Sequence, residues 1–489
     1  MTAKRAIGRG QSSPAALRAA AGADGPWGRA RALPLLGLAL LAAACGQAGM
    51  TRTVSEVRGA LAVSEYGVAL AALRAGKQTG RYRDQDRVAY WMDEGLLLHL
   101  LRRYAESTQV LEQADRRAEE LFTKSVRKEL GAALTSDAAR DYAGEDHERV
   151  LLSVVKALNF AALRDFDGAL VEARRVNSKL QFYATQYGTQ DVFQRDAFAE
   201  WLTGLLYEIG GSQDDARIAY EQAWRDYRED FAAHYGLSAP SYVGEDLVRV
   251  ALRDGDADEL ARYRKETGAS GETGALLADH GEVVLVHLNG EGPSKGDLFI
   301  TCWFRSAAVW ACDGEPGGEL LRRTTIVVPP DGTVVKVAFP LLYLHPPAQP
   351  FVTLHVGAAA GRSQPAYPVN AIAARVMRDQ LKRIFRSAIV RAIAKTLAQQ
   401  AAGAAGKKAG GAELGWLAKT VASVAGQATE EADKRCWTTL PARIDVARVL
   451  VAPGPYTPTV ELADGRVVSL PPVTVARGQR VVMTFHSLP

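Results

Sequence analysis

The densest group of acid–base side chains in this 489-residue chain is the phrase YAGEDHERV, in which Glu145, Asp146, His147 and Glu148 follow one another. Such side chains can hold a cation or work as a general acid–base pair. Consecutive positions on a helix point in different directions, however, so four in a row do not converge on one ion. The same run reads as a helix start: Gly144 ends a loop, the acids of the first turn complement the helix dipole, and VLLSVVKALNFA continues the helix. A second charged phrase, VEARR, sets Glu172 and Arg175 three residues apart on one side of a helix. That spacing suits a salt bridge, and Arg175 is also a candidate contact for an anionic partner. The eight histidines are scattered and form no helical metal pair. No Gly-x-Ser-x-Gly elbow, phosphate loop, dinucleotide fingerprint or paired-cysteine zinc spacing occurs. The sequence carries no positive sign of an enzyme, and it calls for no cofactor and no metal.

Chemistry of another kind is expected at Cys45, at the end of LPLLGLALLAAAC. A basic leader with Arg29 and Arg31, an apolar core too short to span a bilayer, and small residues before the cysteine make a secretory signal. LAAAC followed by Gly46 resembles the lipobox of bacterial lipoproteins, with Ala42 at the usual leucine position and Leu41 one further back. That resemblance implies cleavage after residue 44, a diacylglyceryl group on the Cys45 thiol with palmitate among its acyl chains, and a mature chain beginning at Cys45. Gly46, rather than Asp, implies the outer membrane and its periplasmic face. Beyond Cys45 only Cys302, Cys312 and Cys436 remain. In an oxidising compartment Cys302 and Cys312 are a candidate disulfide across the hairpin TCWFRSAAVWACD; the alternative is buried free thiols.

Removal of the leader changes the electrostatics. The whole chain has 59 Lys and Arg against 55 Asp and Glu, a formal charge of +4. Six basic residues (Lys4, Arg5, Arg9, Arg18, Arg29 and Arg31) and one acid, Asp24, precede Cys45, so the mature chain carries one more acid than base. No global electrostatic case for nucleic acid is left.

The elements that must position these groups fall into two classes. From about Thr51 to Asp256 the chain is rich in Ala, Leu, Arg and Glu, with apolar residues at three- and four-residue spacing. A repeat grammar of small and large residues recurs there. The clearest copy has Gly204, Tyr207, Gly211, Ala216, Tyr220 and Ala223; an earlier one has Gly95, Leu98, Tyr104, Ser107, Leu111 and Ala114; a weaker one runs through Ala157, Phe160, Phe166 and Ala169. These fit tetratricopeptide (TPR) spacing, in which small side chains let paired helices close, although the copies start about 62 and 47 residues apart rather than the regular ~34. From Gly281 short β-branched runs take over (EVVLVHL, DLFITCWF, TTIVVPP, TVVKVAF, FVTLHV), and strands resume with RIDVARVLV, TPTVELA, RVVSL and RVVMTF. Between them lie two expected helices within about 370–436. The first carries seven basic groups over residues 371–402 against Asp379, with Leu381, Ile384 and Phe385 on its apolar face; the second runs through Trp416 to about Arg435.

The expected fold is therefore a multidomain α+β chain: a TPR-like α-solenoid followed by an antiparallel β-sandwich that carries a helical-hairpin insertion. Its parts are a signal peptide (1–44), a tether (45–58), a helical domain (59–278), a first part of the sandwich (279–369), the helical hairpin (370–436) and the last strands (437–489). The phrase VAPGPYTPTVELADGR resembles the strand-turn-strand rhythm of small transthyretin-like modules.

YAGEDHERV, ALVEARRVNSKL (Ala169 to Leu180), DAFAEWLTGLLYE (Asp196 to Glu208) and ADKRCWTTLPARI (Ala432 to Ile444) together resemble an uncharacterised family of bacterial envelope lipoproteins with a TPR-like N-terminal region and a C-terminal β domain. The family brings no established reaction; its members are linked with lipoproteins that assist peptidoglycan synthesis. Cys436 stands where that family has Ser before the Trp. The lipobox-like run, the repeat-like helices and the lack of a catalytic motif point to a lipid-anchored envelope scaffold that binds a protein or peptide through a TPR-like groove, in cell-wall or outer-membrane assembly. Tyr104, Arg175 and Tyr207 are the candidate partner contacts. Two rivals are an export or membrane-remodelling component acting through the basic hairpin 370–436, and a cell-wall hydrolase acting through Glu145, Asp146 and His147. The lipoprotein reading predicts that Cys45→Ala abolishes both processing and membrane partition; unchanged fractionation of that variant between membrane and soluble pools overturns it.

Overall fold

Paired helices build the first layer, because small residues let their backbones approach. The computed structural model describes residues 49–127, 140–187, 195–271, 279–306, 309–312, 334–381 and 432–489, with a few isolated positions between them. Five hairpins follow one another: α1 (residues 49–62) with α2 (Tyr66–Gln78), α3 (Arg87–Leu100) with α4 (Tyr104–Arg127), α5 (Asp146–Ala162) with α6 (Phe166–Tyr187), α7 (Ala197–Ile209) with α8 (Gln213–Asp226), and α9 (Ser241–Asp254) with α10 (Ala257–Thr267). The small-against-large grammar has a direct counterpart. A Cβ on Gly95 would lie 2.3 Å from Leu111, and one on Gly204 would lie 2.6 Å from Tyr220, so only glycine fits at either crossing. Each hairpin turns through one left-handed residue: Ser64, Arg102, Arg164, Gly211 and Gly255. Three of these five are not glycine, which hides the turns from a search for glycine punctuation.

The tether expected over 45–58 is a correction: helix α1 already occupies residues 49–62, because Val57, Ala60 and Leu61 pack on Leu70, Leu73 and Tyr82. The first helix of each later pair is the inner one. Of α5, for example, all but two residues are buried, and Lys156 lies fully inside between Glu112 (2.8 Å), Asp115 (2.7 Å) and Glu172 (3.0 Å).

Strands make the second and third layers. β1 (Gly281–Asn289) is the centre of a four-stranded sheet ordered β13-β1-β8-β7, with β7 at Gln364–Tyr367, β8 at Arg443–Val451 and β13 at Arg480–Ser487. It is not wholly antiparallel as expected: β1 pairs antiparallel with β8 but parallel with β13. Every residue of β1 is buried. Val284, Val286 and Leu288 face the inner helices, while Val283 and Leu285 face a second sheet. That second sheet is ordered β11-β10-β5-β6, from β5 (Thr353–Val356), β6 (Ala359–Arg362), β10 (Thr459–Glu461) and β11 (Val467–Ser469). A small pair joins β9 (Gly454–Tyr456) to β12 (Val473–Val475). A separate three-stranded arm, β3-β2-β4, uses β2 (Ser294–Ser306), β3 (Val309–Cys312) and β4 (Val334–Tyr343). Cys302 on β2 is disulfide-bonded, and the backbone register sets Cys312 directly opposite it.

The helical insertion is shorter at its described ends than the sequence pattern suggests. Residues 369–381 are helical, most of the expected hairpin lies outside the described residues, and residues 432–436 are irregular rather than the end of a helix. The reason is visible at Arg435: its guanidinium is buried against Asp86 (3.2 Å) and Asp433 (2.7 Å), which a helical backbone running on to it does not provide.

Helices and central sheet belong to one compact unit, Gln47–Pro489. The inner faces of the helices are closed by the sheet itself, since Tyr367, Val369, Ile372, Trp437, Ile444 and Val446 enter the same apolar core as Leu152, Trp201 and Val248. A ring of alternating charges crosses this boundary. Glu208 on α7 pairs with Arg249 on α9 (2.7 Å), Arg249 with Asp246 (2.7 Å), Asp246 with Arg448 on β8 (2.7 Å), Arg448 with Glu282 on β1 (2.6 Å), Glu282 with Arg480 on β13 (3.0 Å), and Arg480 again with Glu208 (3.0 Å). Trp201 Nε1 donates to Asp246 (2.9 Å) and Tyr220 Oη to Glu208 (2.9 Å). Three guanidinium groups therefore meet three carboxylates with no net charge. Removing one member strands its neighbours in the interior. Arg448→Leu is expected to lower the unfolding free energy by about 3–5 kcal/mol, read from chemical denaturation midpoints; a loss below about 1 kcal/mol contradicts the role given to the ring.

Candidate functional site

The two phrases richest in chemistry, YAGEDHERV and ADKRCWTTLPARI, meet in space. Helix α5 starts with a capping box: Glu145 caps the first turn, and Glu148 Oε2 accepts from the Glu145 backbone N–H at 2.9 Å. The same oxygen accepts from Tyr142 Oη (2.6 Å), and Glu148 Oε1 accepts from the Trp437 backbone N–H (2.7 Å). Gly144 sits at φ +79°, where a side chain would be strained and would also strike Met92. In the turn that follows, Asp93 on α3 accepts from Thr438 Oγ1 (2.8 Å) and from the Thr439 N–H (2.9 Å). Arg435 donates to the carbonyls of Gln85 (3.1 Å) and Arg140 (2.8 Å) as well as to its two carboxylates. The start of the β2 arm closes the cluster: Lys295 pairs with Glu145, and Asp297 accepts from Lys434 Nζ (2.8 Å).

Burial and neighbouring charge set the protonation states. Burial opposes ionisation of Glu145, but the Lys295 ammonium outweighs it and holds the carboxyl at about 2. Lys295 is likewise opposed by burial and is raised above its ordinary value by Glu145 and Asp433. Burial raises Glu148, and it pushes Asp93 up to about 7 against the hydrogen bonds of Thr438 and Thr439. His147 is pushed down to about 4 by burial, so its ring is neutral at pH 7, and its Nδ1 has no hydrogen-bond partner among the described residues. The Cys436 thiol is buried and free, and burial with the nearby Glu148 carboxylate pushes it up to about 12. At neutral pH the cluster therefore holds a charged lysine, a protonated thiol and a neutral imidazole. Neither nitrogen of Lys295 type nor thiolate is available as a nucleophile in that state. Among the described residues no set of three His, Cys, Asp or Glu side chains is placed to hold a metal ion. What the arrangement does is clamp the segment 432–440 and the arm to the first turn of α5.

A second constellation was invisible in the sequence. His287 on β1 lies opposite Asp445 on β8, and His287 Nε2 is 2.8 Å from Ser487 Oγ at the end of β13, with Nδ1 3.6 Å from Asp445 Oδ2. These are the residue types of a nucleophilic triad. Their setting is interior: His287 is fully buried and Ser487 is 6% exposed, while Asp445 also accepts from Asn289 Nδ2 (2.7 Å) and Arg443 (2.9 Å). Burial depresses the His287 imidazole. The three act as a polar tie between adjacent strands at the rim of the inter-sheet core. Only strand register brings them together, so no local pattern announces them.

The candidate partner contacts are dispersed. Tyr104 opens α4 with its ring edge-on to His99 at 5.5 Å. Arg175 bonds Glu172 (2.9 Å), as its spacing suggests, and also Glu112 on α4 (3.2 Å). Tyr207 Oη accepts from Arg174 Nε at 2.7 Å, with the guanidinium 4.9 Å from the ring centre. They do not line an open groove on the inner face, because the central sheet fills that face. Cys45 lies outside the described residues.

No protein-family model and no curated protein matches the chain. One solved structure, that of BtubC (BKLC) from P. vanneervenii, is similar over 46% of this chain and 89% of its own, at 17% identity and a TM-score of 0.29.

The buried neutral His147 gives a pH signature. Its folded value near 4 lies below its unfolded value of 6.5, so the unfolded chain binds the extra proton, and the stability this imidazole contributes is lost as pH falls from 6.5 towards 4. Over that window the native chain should lose on the order of 1.4 kcal/mol per pH unit more than His147→Gln. Parallel stability–pH curves for the two proteins contradict the buried neutral state.

Proposed function

We propose that the protein is a lipid-anchored scaffold of the bacterial envelope, held at the periplasmic face of the outer membrane through Cys45. Its helix hairpins form a TPR-like array, its two facing sheets a β-sandwich, and it binds a protein or peptide partner in cell-wall or outer-membrane assembly. The tight Gly95–Leu111 and Gly204–Tyr220 crossings support the TPR-like reading. Because the central sheet packs on the inner helices, the proposal takes the outer helices rather than a concave groove as the binding surface.

The observation that carries the proposal is a stripe along α6. Val171 (50% exposed), Arg175, Ser178 and Phe182 (42% exposed) recur at spacings of four, three and four residues, on one solvent-facing side. Phe182 is steadied from below by edge contacts with the Phe122 ring at 5.7 Å. Arg174 and Tyr207 flank the stripe with a stacked cation and phenol. Two exposed apolar side chains on either side of an ion-paired arginine and a serine suit a mixed apolar and polar peptide segment. Binding spread over such a surface needs no catalytic constellation, in keeping with a junction cluster whose charged groups are spent on one another.

A photo-crosslinking amino acid placed at Val171 or Phe182 in living cells is expected to capture the same envelope protein from both positions. The exposed Val467 on β11 serves as the comparison site. Adducts at 171 and 182 no stronger than those at 467 overturn the outer-helix surface as the docking site.

A further inference from the structure

We propose that the outer face of the α1–α2 hairpin is the surface with which this protein lies against a lipid bilayer, so that the body is seated on the membrane rather than hung from it. The inference rests on lipidation of Cys45, and it adds the orientation that lipidation alone leaves open. Helix α1 is described from Gly49 onward, four residues after Cys45. Even a fully extended segment of that length reaches only ~14 Å, less than the length of α1 itself. A chain anchored so closely keeps the first turn of α1 near the headgroups, and the exposed side of the hairpin decides whether the rest lies down on them.

The exposed side of that hairpin is built for such contact. Its inward side is ordinary core: Val57, Leu61, Leu70 and Leu73 are buried. Its outward side shows Gly59, Ala62 and Val63, then Gly67, Val68, Ala71 and Ala75. Val63 is 69% exposed and Val68 56% exposed, among the most exposed large apolar side chains in the described structure. Arg52 stands near the anchored end and shares Glu56 with Arg81, while the exposed Glu65 lies at the turn of the hairpin, so the charges of this side are few and balanced. The opposite end of the helix array shows the contrast. There α10 exposes Asp258, Arg262, Arg264, Lys265 and Glu266, the charged outer face that a terminal helix pair needs in water. On the hairpin beside Cys45 the charged residues of the outward side are Arg52, Glu56 and Glu65, and small or apolar residues fill the rest.

The test uses the full-length lipidated chain in proteoliposomes that contain spin-labelled phospholipid. A fluorophore is attached through Val63→Cys or Val68→Cys, with Ile218→Cys and Asp258→Cys as distant exposed positions. Labels at 63 and 68 are expected to be quenched several-fold more by the spin-labelled lipid than labels at 218 and 258. Equal quenching at all four positions, in protein that still floats with the vesicles, overturns the seating while lipidation stands. Fluorophore self-quenching at 63 and 68 without lipid quenching assigns the face to a second copy of the chain and also overturns it. Failure of the unsubstituted chain to float overturns lipidation, and the seating falls with it. As an independent readout, Val63→Glu with Val68→Glu should leave processing at Cys45 intact and increase extraction of the chain by alkaline carbonate several-fold; unchanged extraction counts against the seating.

Discussion

Six charged side chains at the boundary between helices and central sheet hold the architecture in register. Apolar burial supplies most of the attraction between the layers, but it is non-directional, and a sheet covered with Val and Ile could settle on the helices in more than one position. The ring Glu208–Arg249–Asp246–Arg448–Glu282–Arg480 removes that freedom, because any slip would leave an unpaired charge in the interior. It draws on α7, α9, β1, β8 and β13, so five elements from both halves of the chain must arrive together for any of the six charges to be compensated. Burial of so many charges is tolerable only because the ring closes on itself and because Trp201 and Tyr220 donate to carboxylate lone pairs that the guanidinium groups leave open.

Closure of the inner face has consequences for what the molecule can do. The central sheet packs on the inner helices in one apolar core, tied to them by the charge ring and by the capping box of α5. The surfaces left open to solvent among the described residues are those of the outer helices, the β2–β4 arm and the first hairpin. The acid–base cluster at Glu145 and Lys295 is correspondingly a fastening. Its ionised pair, neutral imidazole and protonated thiol are the states expected of groups that stabilise a junction, and each acceptor oxygen of Glu148 is already taken by Tyr142, Glu145 or Trp437.

Much of this site was half-legible. The acids of YAGEDHERV announced a helix start, and the capping box between Glu145 and Glu148 is that helix start in atomic detail. What the phrase did not disclose is its partner: Trp437 lies 289 positions away, and Lys295 lies 150 away. The helical composition around Arg435 suggests the end of a helix, whereas the segment is irregular there and Arg435 is buried against Asp86. The His287–Asp445–Ser487 tie gave no signal at all, since each residue looks like an ordinary strand member until the register sets β8 and β13 on either side of β1.

By itself the sequence determined the local features: the change from three-to-four spacing to alternating β-branched runs near Gly281, the glycines that let helices cross at 95 and 204, the pairing distance of Glu172 and Arg175, and the lipobox-like run before Cys45. These are short-range properties, fixed by helix and strand periodicity within a few turns. Only the tertiary structure decided that β1 and β13 run parallel, that the inner face of the helices is covered by the chain's own sheet, and that three arginines meet three carboxylates there. Such pairings span hundreds of residues and depend on how the chain closes. A single arginine or glutamate carries no local mark of the partner that will neutralise it.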